Sequence, residues 1–503
     1  MADEDLSILL SSATLIALGG VISAGGRLLE RVIIGRALSP GAYGEVSIGL
    51  AVLSFTTTFV LVGFTQGVPR YISRFEDTAA KRGIWISAML VPGTLALIVC
   101  GVLYWHADFL ASTLFERADS PQLIQLFLVA VPFVTGVKIG IGAIRGMENT
   151  IYRTYARDLL YPALRIGGLV AFLAAGWGLL AAGYAYIIAA AIALVLTHVL
   201  LHRLLPLVGP VELHISKLVR FSLPLIISTL LSALMMQSDT VMLGYFRSSF
   251  EVGQYTAAFP LAKGMLVILS SFGFMYLPLA SRLDAEDDRE EIDRIYKTTT
   301  KWVYVGTFPA FVAFFIFPGD VLRIFFGPEY TSGALALRIL AVGFMLNAIG
   351  GRNRETVAAL GYTNYVMLGN GVAFLVNIGL NLLLIPRMGF IGAALASAAA
   401  FFTVNVVICG LLIVKFDISP FSKWSVRAFT SLPLLLLPAT LISRYVNLTA
   451  YSLLPFLIFV GLSAIAIVGV TGAFQPEDEV VVEFIESHVG VRIPLVRSFL
   501  PSE

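Results

Sequence analysis

The chain has few charged residues and very few cysteines, and these shortages exclude several classes of protein. Only 13% of its 503 residues are charged, whereas 58% are hydrophobic and the mean hydropathy is +0.87. Soluble domains carry about 25% charged residues. The two cysteines, Cys100 and Cys409, both lie inside apolar runs, so neither a disulfide nor a metal framework is expected. The composition therefore indicates an integral membrane protein without a metal site or an organic cofactor.

Long connections and catalytic motifs are also missing. The longest predicted outer connection, 106–121, has about sixteen residues, which leaves no room for an external catalytic domain. We find no nucleophile elbow, no phosphate-binding Gly-Lys-Ser/Thr loop and no His/Cys metal spacing. We therefore expect a transporter and not an enzyme. It would be driven by an ion gradient or by the gradient of its substrate, and would have no nucleic-acid partner.

Apolar segments of membrane-spanning length recur along the whole chain. A helix that crosses about 30 Å of hydrocarbon needs roughly 20 residues. Fourteen predicted spans meet that length: 6–28, 44–66, 84–105, 122–143, 158–177, 179–200, 221–243, 252–280, 302–318, 332–351, 364–386, 391–414, 426–444 and 452–473. The sequence therefore predicts an all-α polytopic membrane protein.

Lysine and arginine are distributed unevenly between the connections. With the N-terminus inside, the inner connections carry 20 Lys and Arg and the outer ones carry 8. The positive-inside rule then predicts that both termini are cytoplasmic, in the cell membrane. The acidic N-terminus, Met1–Asp5, is unlike a secretory signal and is expected to be retained.

The first half of the chain is repeated in the second. A shift of 209 positions places Glu30 on Asp239, Gly35 on Gly244 and Gly44 on Gly253. The small-residue segment 178–182 likewise precedes 389–393 by 211 positions. Parallel repeats of this size build many transporters, with the substrate site between the halves. The predicted divisions are two six-helix lobes, two additional spans and a cytoplasmic tail: 1–203, 204–415, 416–475 and 476–503.

Three charged residues lie in or just beyond the end of the first predicted span, on one helical face. Arg27, Glu30 and Arg31 are spaced at three and four residues, so they share a face of a helix. A charge at bilayer depth costs about 2.5–3.5 kcal/mol on insertion scales, so such a face usually lines a wet cavity. The alternative is that all three lie outside the hydrocarbon, among lipid headgroups.

Several short segments carry a resemblance to a known family. They are the arginine-rich end of the first span with Leu38-Ser-Pro-Gly-Ala-Tyr-Gly44, Leu61-Val-Gly-Phe-Thr-Gln-Gly67 with Arg70 and Tyr71, Phe221-Ser-Leu-Pro224, Asp239 with Gly244, Val252-Gly-Gln-Tyr255, and Leu384-Ile-Pro386 with Gly389-Phe-Ile-Gly-Ala-Ala394. Over residues 1 to about 415 the chain resembles the polysaccharide-biosynthesis flippases of the multidrug/oligosaccharidyl-lipid/polysaccharide exporter superfamily. The resemblance implies two six-helix lobes around a central cavity. It also implies alternating access that moves a lipid-linked oligosaccharide outward.

The charged residues inside the predicted spans fit an anionic substrate. The candidate cavity cations are Arg27, Arg31, Lys138, Arg165, Lys263 and Arg338. A phosphate or pyrophosphate headgroup needs such charge-assisted donors. The alternative is that each cation is paired within the protein or reaches the membrane interface.

Two acids and two amides at comparable depth form a second candidate site. If the family's packing holds, Asp239 faces Asn377 and Asn381, and their oxygens could bind Na⁺, or Asp239 could exchange a proton. Glu30 is a further candidate for ion coupling. A structural salt bridge from Asp239 to Arg27 or Arg31 is the alternative.

The expected function is therefore translocation of a polyprenyl- or dolichyl-linked oligosaccharide to the outer leaflet, for surface polysaccharide or protein glycan assembly. Its partners would be that substrate, membrane lipids, and glycosyltransferases with a polymerase or oligosaccharyltransferase of the same pathway. The alternatives are an ion-coupled multidrug antiporter and a membrane-embedded enzyme of glycan assembly. The charged stretch 282–301 is predicted to form a separate amphipathic surface helix.

Overall fold

The computed structural model describes residues 22–115, 121–475 and Asp478, and in this part of the chain the regular structure is entirely helical. The prediction of an all-α polytopic protein is confirmed. Met1–Asp5, most of the predicted first span 6–28, and the predicted tail 476–503 apart from Asp478 lie outside the described residues.

The helices of the first half follow one another with short connections. In chain order they are α1 (22–37), α2 (Pro40–Leu61), α3 (Phe64–Ile72), α4 (Thr78–Trp105), α5 (Ala107–Leu114), α6 (Pro121–Gly146), α7 (Thr150–Thr154), a π-helix (Tyr155–Leu160), α8 (Tyr161–Ala174), α9 (Leu180–Leu204), α10 (Ile215–Phe246) and α11 (Ser249–Gly264).

The second half contains the remaining helices. They are α12 (Leu266–Ala285), α13 (Arg289–Ile316), α14 (Pro318–Phe325), a 3₁₀ helix (Pro328–Gly333), α15 (Ala334–Gly350), α16 (Asn353–Ala359), α17 (Thr363–Met388), α18 (Phe390–Phe416), α19 (Lys423–Ser431), a second 3₁₀ helix (Leu432–Leu435), α20 (Leu436–Ile442) and α21 (Ala450–Val470).

The chain divides into two compact units, with the division between Thr256 and Ala257. In the first unit, α10 packs against α2 and α3, and α6 packs against α9. In the second, α17 packs against α18, and α13 packs against both α15 and α21. The predicted lobe boundaries, 1–203 and 204–415, stay a prediction.

Ten helical segments among the described residues are long and apolar enough to cross a membrane. The predicted spans at 158–177 and 252–280 are helical but interrupted, the first by the π-helix and the second at Met265 between α11 and α12. The described chain is therefore that of a multi-pass membrane protein, and the count of fourteen spans stays a prediction.

Local signals in the sequence determine where two helices of the first unit begin. Ser39 caps α2 and Pro40 follows at its first position, where a missing N–H costs nothing. Asp77 caps α4 by accepting a hydrogen bond from the Ala80 N–H at 2.9 Å. That hydrogen bond holds the pKa of the Asp77 carboxyl below its usual value.

The prediction of a separate surface helix at 282–301 is wrong. Residues 282–285 end α12, and a new helix, α13, begins after Asp288, whose side chain accepts a hydrogen bond from the Glu291 N–H at 3.0 Å. Ile292 and Tyr296 are completely buried, against residues of α12, α16 and α18. Their spacing of four residues extends the apolar face of the membrane segment, so one continuous helix forms.

A polar network joins the chain after α21 to the middle of α13. Asp478 pairs with Lys301, and both side chains are almost completely buried. Asp478 also accepts hydrogen bonds from the Trp302 indole N–H at 2.7 Å and from the Gln475 N–H at 2.9 Å. Lys301 further donates to the Ala473 carbonyl at 3.0 Å. Each carboxylate oxygen of Asp478 therefore has a donor.

Candidate functional site

The charged face predicted for the first helix lies on α1. Glu30 is buried at 4% exposure, Arg31 is half-buried and Arg27 is exposed. Arg27 donates a hydrogen bond to the Ser23 hydroxyl at 2.7 Å, one helical turn earlier. Arg31 is hydrogen-bonded to the hydroxyl of Tyr43 on α2. The three charges occupy one face of the helix, and the acid is its most buried member.

Arg165 on α8 is held by one carboxylate and two tyrosines. Its Nη2 atom lies 2.9 Å from Glu30 Oε2, and its Nη1 atom donates to the Tyr186 hydroxyl at 3.1 Å. The guanidinium carbon lies 4.9 Å from the ring centroids of both Tyr161 and Tyr186, within the range of a cation–π interaction. The structure thus brings Arg165 together with the charges of α1.

The ion pair between Glu30 and Arg165 is formed by one carboxylate oxygen and one guanidinium nitrogen, Oε2 and Nη2. Glu30 Oε1 and Arg165 Nε are buried and have no hydrogen-bond partner among the residues that the structure describes. A guanidinium and a carboxylate can form two parallel hydrogen bonds, but here they form one. A buried polar atom without a partner costs about 1–3 kcal/mol. The pair is therefore a poor stabilising element for two groups so deeply buried.

The π-helix adds two more charges beside this cluster. Asp158 is buried and Arg157 is exposed, with Arg157 Nε 3.7 Å from Asp158 Oδ1. Arg27 interacts electrostatically with both of them, as well as with Arg165 and Glu30. π-Helical turns occur frequently at functional sites. The cluster Arg27, Glu30, Arg31, Arg157, Asp158 and Arg165 contains four cations and two acids, which is a surplus of positive charge. We call these six residues the arginine cluster.

A second feature is a close crossing between α2 and the start of α11, both in the first unit. A Cβ atom on Gly44 would overlap the carbonyl of Ser249, and one on Gly253 would overlap the carbonyl of Pro40. The shift of 209 positions relates Gly44 to Gly253 and Pro40 to Ser249. The contact is therefore reciprocal, as expected at an axis that relates two repeats. Ser47 donates a hydrogen bond to the Thr256 hydroxyl at 3.1 Å across the same shift.

The crossing also connects to the charged residues. The hydroxyl of the fully buried Tyr43 accepts a hydrogen bond from Arg31 and donates one to the Thr256 carbonyl at 3.1 Å. The neighbouring Tyr255 donates to Asp239 Oδ2 at 2.5 Å, and both side chains are buried. Tyr43 thus links α11 to Arg31, a predicted substrate cation, and Tyr255 links α11 to Asp239, a predicted ion ligand.

The remaining predicted cations lie on other helices, α6, α11 and α15. Lys138 lies in the second half of α6, is half-buried, and makes neither a hydrogen bond nor an ion pair with any residue that the structure describes. Lys263 is exposed on α11. Arg338 is exposed on α15 and donates to the Phe315 carbonyl near the end of α13 at 2.8 Å. A substrate role for these three cations stays a prediction.

The two predicted amide ligands lie together on α17. Asn381 Nδ2 donates to Asn377 Oδ1 at 3.1 Å, and both side chains are buried in the second unit. Their spacing of four residues places them on one face of the helix. The predicted ion site that combines them with Asp239 of the first unit stays a prediction.

Three tyrosines were missed by reasoning from the sequence. Tyr161 precedes Arg165 by one helical turn, and this spacing could have indicated the contact. No local pattern indicates Tyr186, which reaches Arg165 from α9, or Tyr43, which reaches Arg31 from α2. Aromatic residues are too common in membrane helices, 12% of this chain, for composition alone to identify them.

Comparison with family models identifies the class of protein. Residues 9–284 match the model of the polysaccharide biosynthesis protein family, which covers more than half of the chain. Residues 224–383 match the MatE model. The chain belongs to the polysaccharide biosynthesis protein family, and the resemblance inferred from its motifs is confirmed.

A curated protein is similar to this chain over about a third of its length. The probable low-salt glycan biosynthesis flippase Agl15 of Haloferax volcanii is 24% identical over 170 residues, which are 34% of this chain and 36% of that protein. The match thus spans about a third of either protein.

Solved structures share the fold over most of the chain. The inward closed conformation of the lipid II flippase MurJ has a TM-score of 0.72 at 13% identity and covers 90% of this chain and 98% of its own. An inward-facing MATE family multidrug transporter has a TM-score of 0.65 at 14% identity, with 79% and 94% covered. At these identities the likeness establishes the fold alone.

Proposed function

We propose that this protein is a flippase that moves a lipid-linked oligosaccharide from the cytoplasmic to the outer leaflet by alternating access. The observation that carries the proposal is the arginine cluster, because its four cations outnumber its two acids and an anionic substrate would balance the difference. A phosphate or pyrophosphate that joins glycan to lipid is such an anion, and arginine binds it through paired donors. Membership in the polysaccharide biosynthesis protein family and the similarity to Agl15 support this substrate class.

The crossing of α2 and α11 supplies a contact that can open and close. Its two helices meet backbone to backbone at Gly44 and Gly253, and their separation would break the hydrogen bonds of Tyr43 and Ser47 to Thr256. Arg31 and Asp239 both reach this contact through tyrosines. Substrate binding at Arg31 or ion binding at Asp239 would therefore change the contacts at the crossing. Alternating access requires such coupling between binding and helix movement.

The protein acts as a transporter without catalysis, within the cell membrane and with both termini in the cytoplasm. The excess of Lys and Arg in the predicted inner connections supports this orientation. Its pathway partners are the glycosyltransferases that build the substrate, and the polymerase or oligosaccharyltransferase that uses it.

The second candidate is an ion-coupled multidrug antiporter, favoured by the MatE match over residues 224–383. The arginine cluster argues against it, because its surplus of positive charge repels the cationic compounds that such antiporters carry. A deletion strain separates the two functions. We expect lipid-linked oligosaccharide to accumulate and surface glycan to be lost. A normal lipid-linked pool with new sensitivity to cationic dyes would favour the antiporter.

The direct test uses purified protein in liposomes that contain a fluorescent polyprenyl-pyrophosphate-linked sugar, with dithionite quenching as the measure of flipping. We expect Arg27→Ala, Arg31→Ala and Arg165→Ala each to slow flipping by about tenfold or more, since losing one charge-assisted contact weakens binding by about that factor.

The matched control is Arg338→Ala, which removes an exposed arginine outside the cluster and should keep at least half of the flipping rate. Full flipping by the Arg27→Ala/Arg31→Ala double variant at normal protein levels would contradict phosphate binding at the cluster.

A further inference from the structure

Glu30 has an unusual position for a residue of an anion-binding site. It is the more buried partner of Arg165, yet one of its oxygens and the Arg165 Nε atom have no hydrogen-bond partner within residues 22–115 and 121–475. A pair that served stability alone would be expected to use both hydrogen bonds that the two groups can form. The unused Nε atom lies on the same edge of the guanidinium as Nη2, which contacts Glu30. That edge is the one that binds a carboxylate or a phosphate through two donors.

Arg165 is held by two tyrosines in addition to Glu30. The ring centroids of Tyr161 and Tyr186 lie 4.9 Å from the guanidinium carbon, and the Tyr186 hydroxyl accepts a hydrogen bond from Nη1, whereas Glu30 contacts Nη2. Glu30 comes from another helix, α1. If Glu30 were removed or drawn away, the guanidinium would remain oriented, with its Nε and Nη2 donors open to another anion.

The neighbouring charges allow Glu30 to leave Arg165 without losing its counterions. Arg31 is one residue away and Arg27 is three residues away on the same face of α1, and both interact electrostatically with Glu30. A carboxylate that moved from Arg165 to these arginines would stay compensated. A transport site must also release what it binds, so its affinity has to be limited.

We propose that Glu30 is an internal anion, which occupies the Nε/Nη2 edge of Arg165 in the empty transporter and is exchanged for the phosphate or pyrophosphate of the substrate. Its return to Arg165 expels the substrate. This inference rests on the proposed function and adds to it a residue that limits affinity so that release is fast.

The test measures binding and flipping together in the full-length protein. The probe is geranylgeranyl pyrophosphate, titrated calorimetrically in detergent. Glu30→Gln keeps the size of the side chain and removes the competing charge, so we expect about tenfold tighter binding and several-fold slower flipping, where tenfold corresponds to about 1.4 kcal/mol. A positioning role alone would instead lower affinity and flipping together.

The matched control is Asp320→Asn, a largely buried acid outside the cluster, which pairs with Arg323. We expect it to change affinity by less than about threefold, because it belongs to a different ion pair. Glu30→Asp covers the case in which Glu30→Gln fails to fold. Its carboxylate is one carbon shorter and contacts Arg165 less well, so binding should again be tighter.

The outcomes separate the inference from the function on which it rests. Unchanged or weaker binding in folded Glu30→Gln or Glu30→Asp protein would overturn the role of Glu30, while the flippase proposal would stand. Failure of the unsubstituted protein to bind the pyrophosphate probe or to flip the lipid-linked sugar would overturn both.

Discussion

Two buried ion pairs, one in each compact unit, differ in how completely their polar atoms are satisfied. Lys301 and Asp478 in the second unit are almost completely buried, and both oxygens of Asp478 accept hydrogen bonds. Glu30 and Arg165 in the first unit are nearly as buried, yet each has an atom without a hydrogen-bond partner in the described part of the chain. The complete pair fits a permanent structural connection, whereas the incomplete pair fits groups that exchange partners.

The largest expected effect on the free energy of unfolding comes from replacing the cation of each pair by methionine. Lys301→Met leaves Asp478 buried without its cation and should lower the free energy of unfolding by about 3–5 kcal/mol. Arg165→Met should cost only about 1–2 kcal/mol, because Glu30 keeps Arg27 and Arg31 nearby. Thermal unfolding of the purified variants in detergent measures both. Equal losses would remove the distinction between the two pairs.

A smaller loss of stability is expected when one hydrogen bond to the buried Asp478 carboxylate is removed. Trp302→Phe removes the donor to Asp478 Oδ1, and the oxygen left without a partner should cost about 1–3 kcal/mol. Flipping by the protein that remains folded should be unchanged, since Trp302 is not part of the arginine cluster. Trp424→Phe is the matched control. The Lys423 ammonium lies 4.4 Å from the Trp424 ring centroid, and a phenylalanine ring can keep this contact. We expect it to cost less than about 0.5 kcal/mol. Comparable losses in both variants would mean that the indole N–H of Trp302 contributes little.

The smallest expected effect on stability concerns a third buried carboxylate. Asp239→Asn keeps an oxygen that can accept the hydrogen bond from Tyr255, so it should cost less than about 1 kcal/mol. We expect flipping by this variant to lose its dependence on Na⁺ or on pH, which would place Asp239 among the groups that exchange partners. Flipping rates measured over a series of Na⁺ concentrations and pH values test this.

Tyr255→Phe, which removes the hydrogen bond but keeps the carboxylate, is the control for Asp239. It should retain the ion dependence. An unaltered ion dependence in Asp239→Asn, together with rescue by neutralising Arg27 or Arg31, would instead indicate a structural charge.

Much of the fold could be predicted because membrane helices are encoded locally. Apolar length locates the spans, and the helical period places Arg27, Glu30 and Arg31 on one face. The repeat was also visible in the sequence, since it preserves small residues such as Gly44 and Gly253 where two backbones must approach. The prediction of a surface helix at 282–301 is wrong because the spacing of Ile292 and Tyr296 is the same in a surface helix and at the end of a membrane-spanning helix, and only their packing distinguishes the two.

The sequence by itself determined that this is a multi-pass membrane protein with an internal repeat and a charged first helix, because hydropathy, period and offset need no knowledge of neighbours. Only the tertiary structure decided which charges pair. Arg165 meets Glu30 from a helix more than a hundred residues away, and Asp478 meets Lys301 across a similar separation. Ion pairing at these sites depends on distances of a few ångströms between side chains of different helices. No local pattern in the sequence encodes such distances.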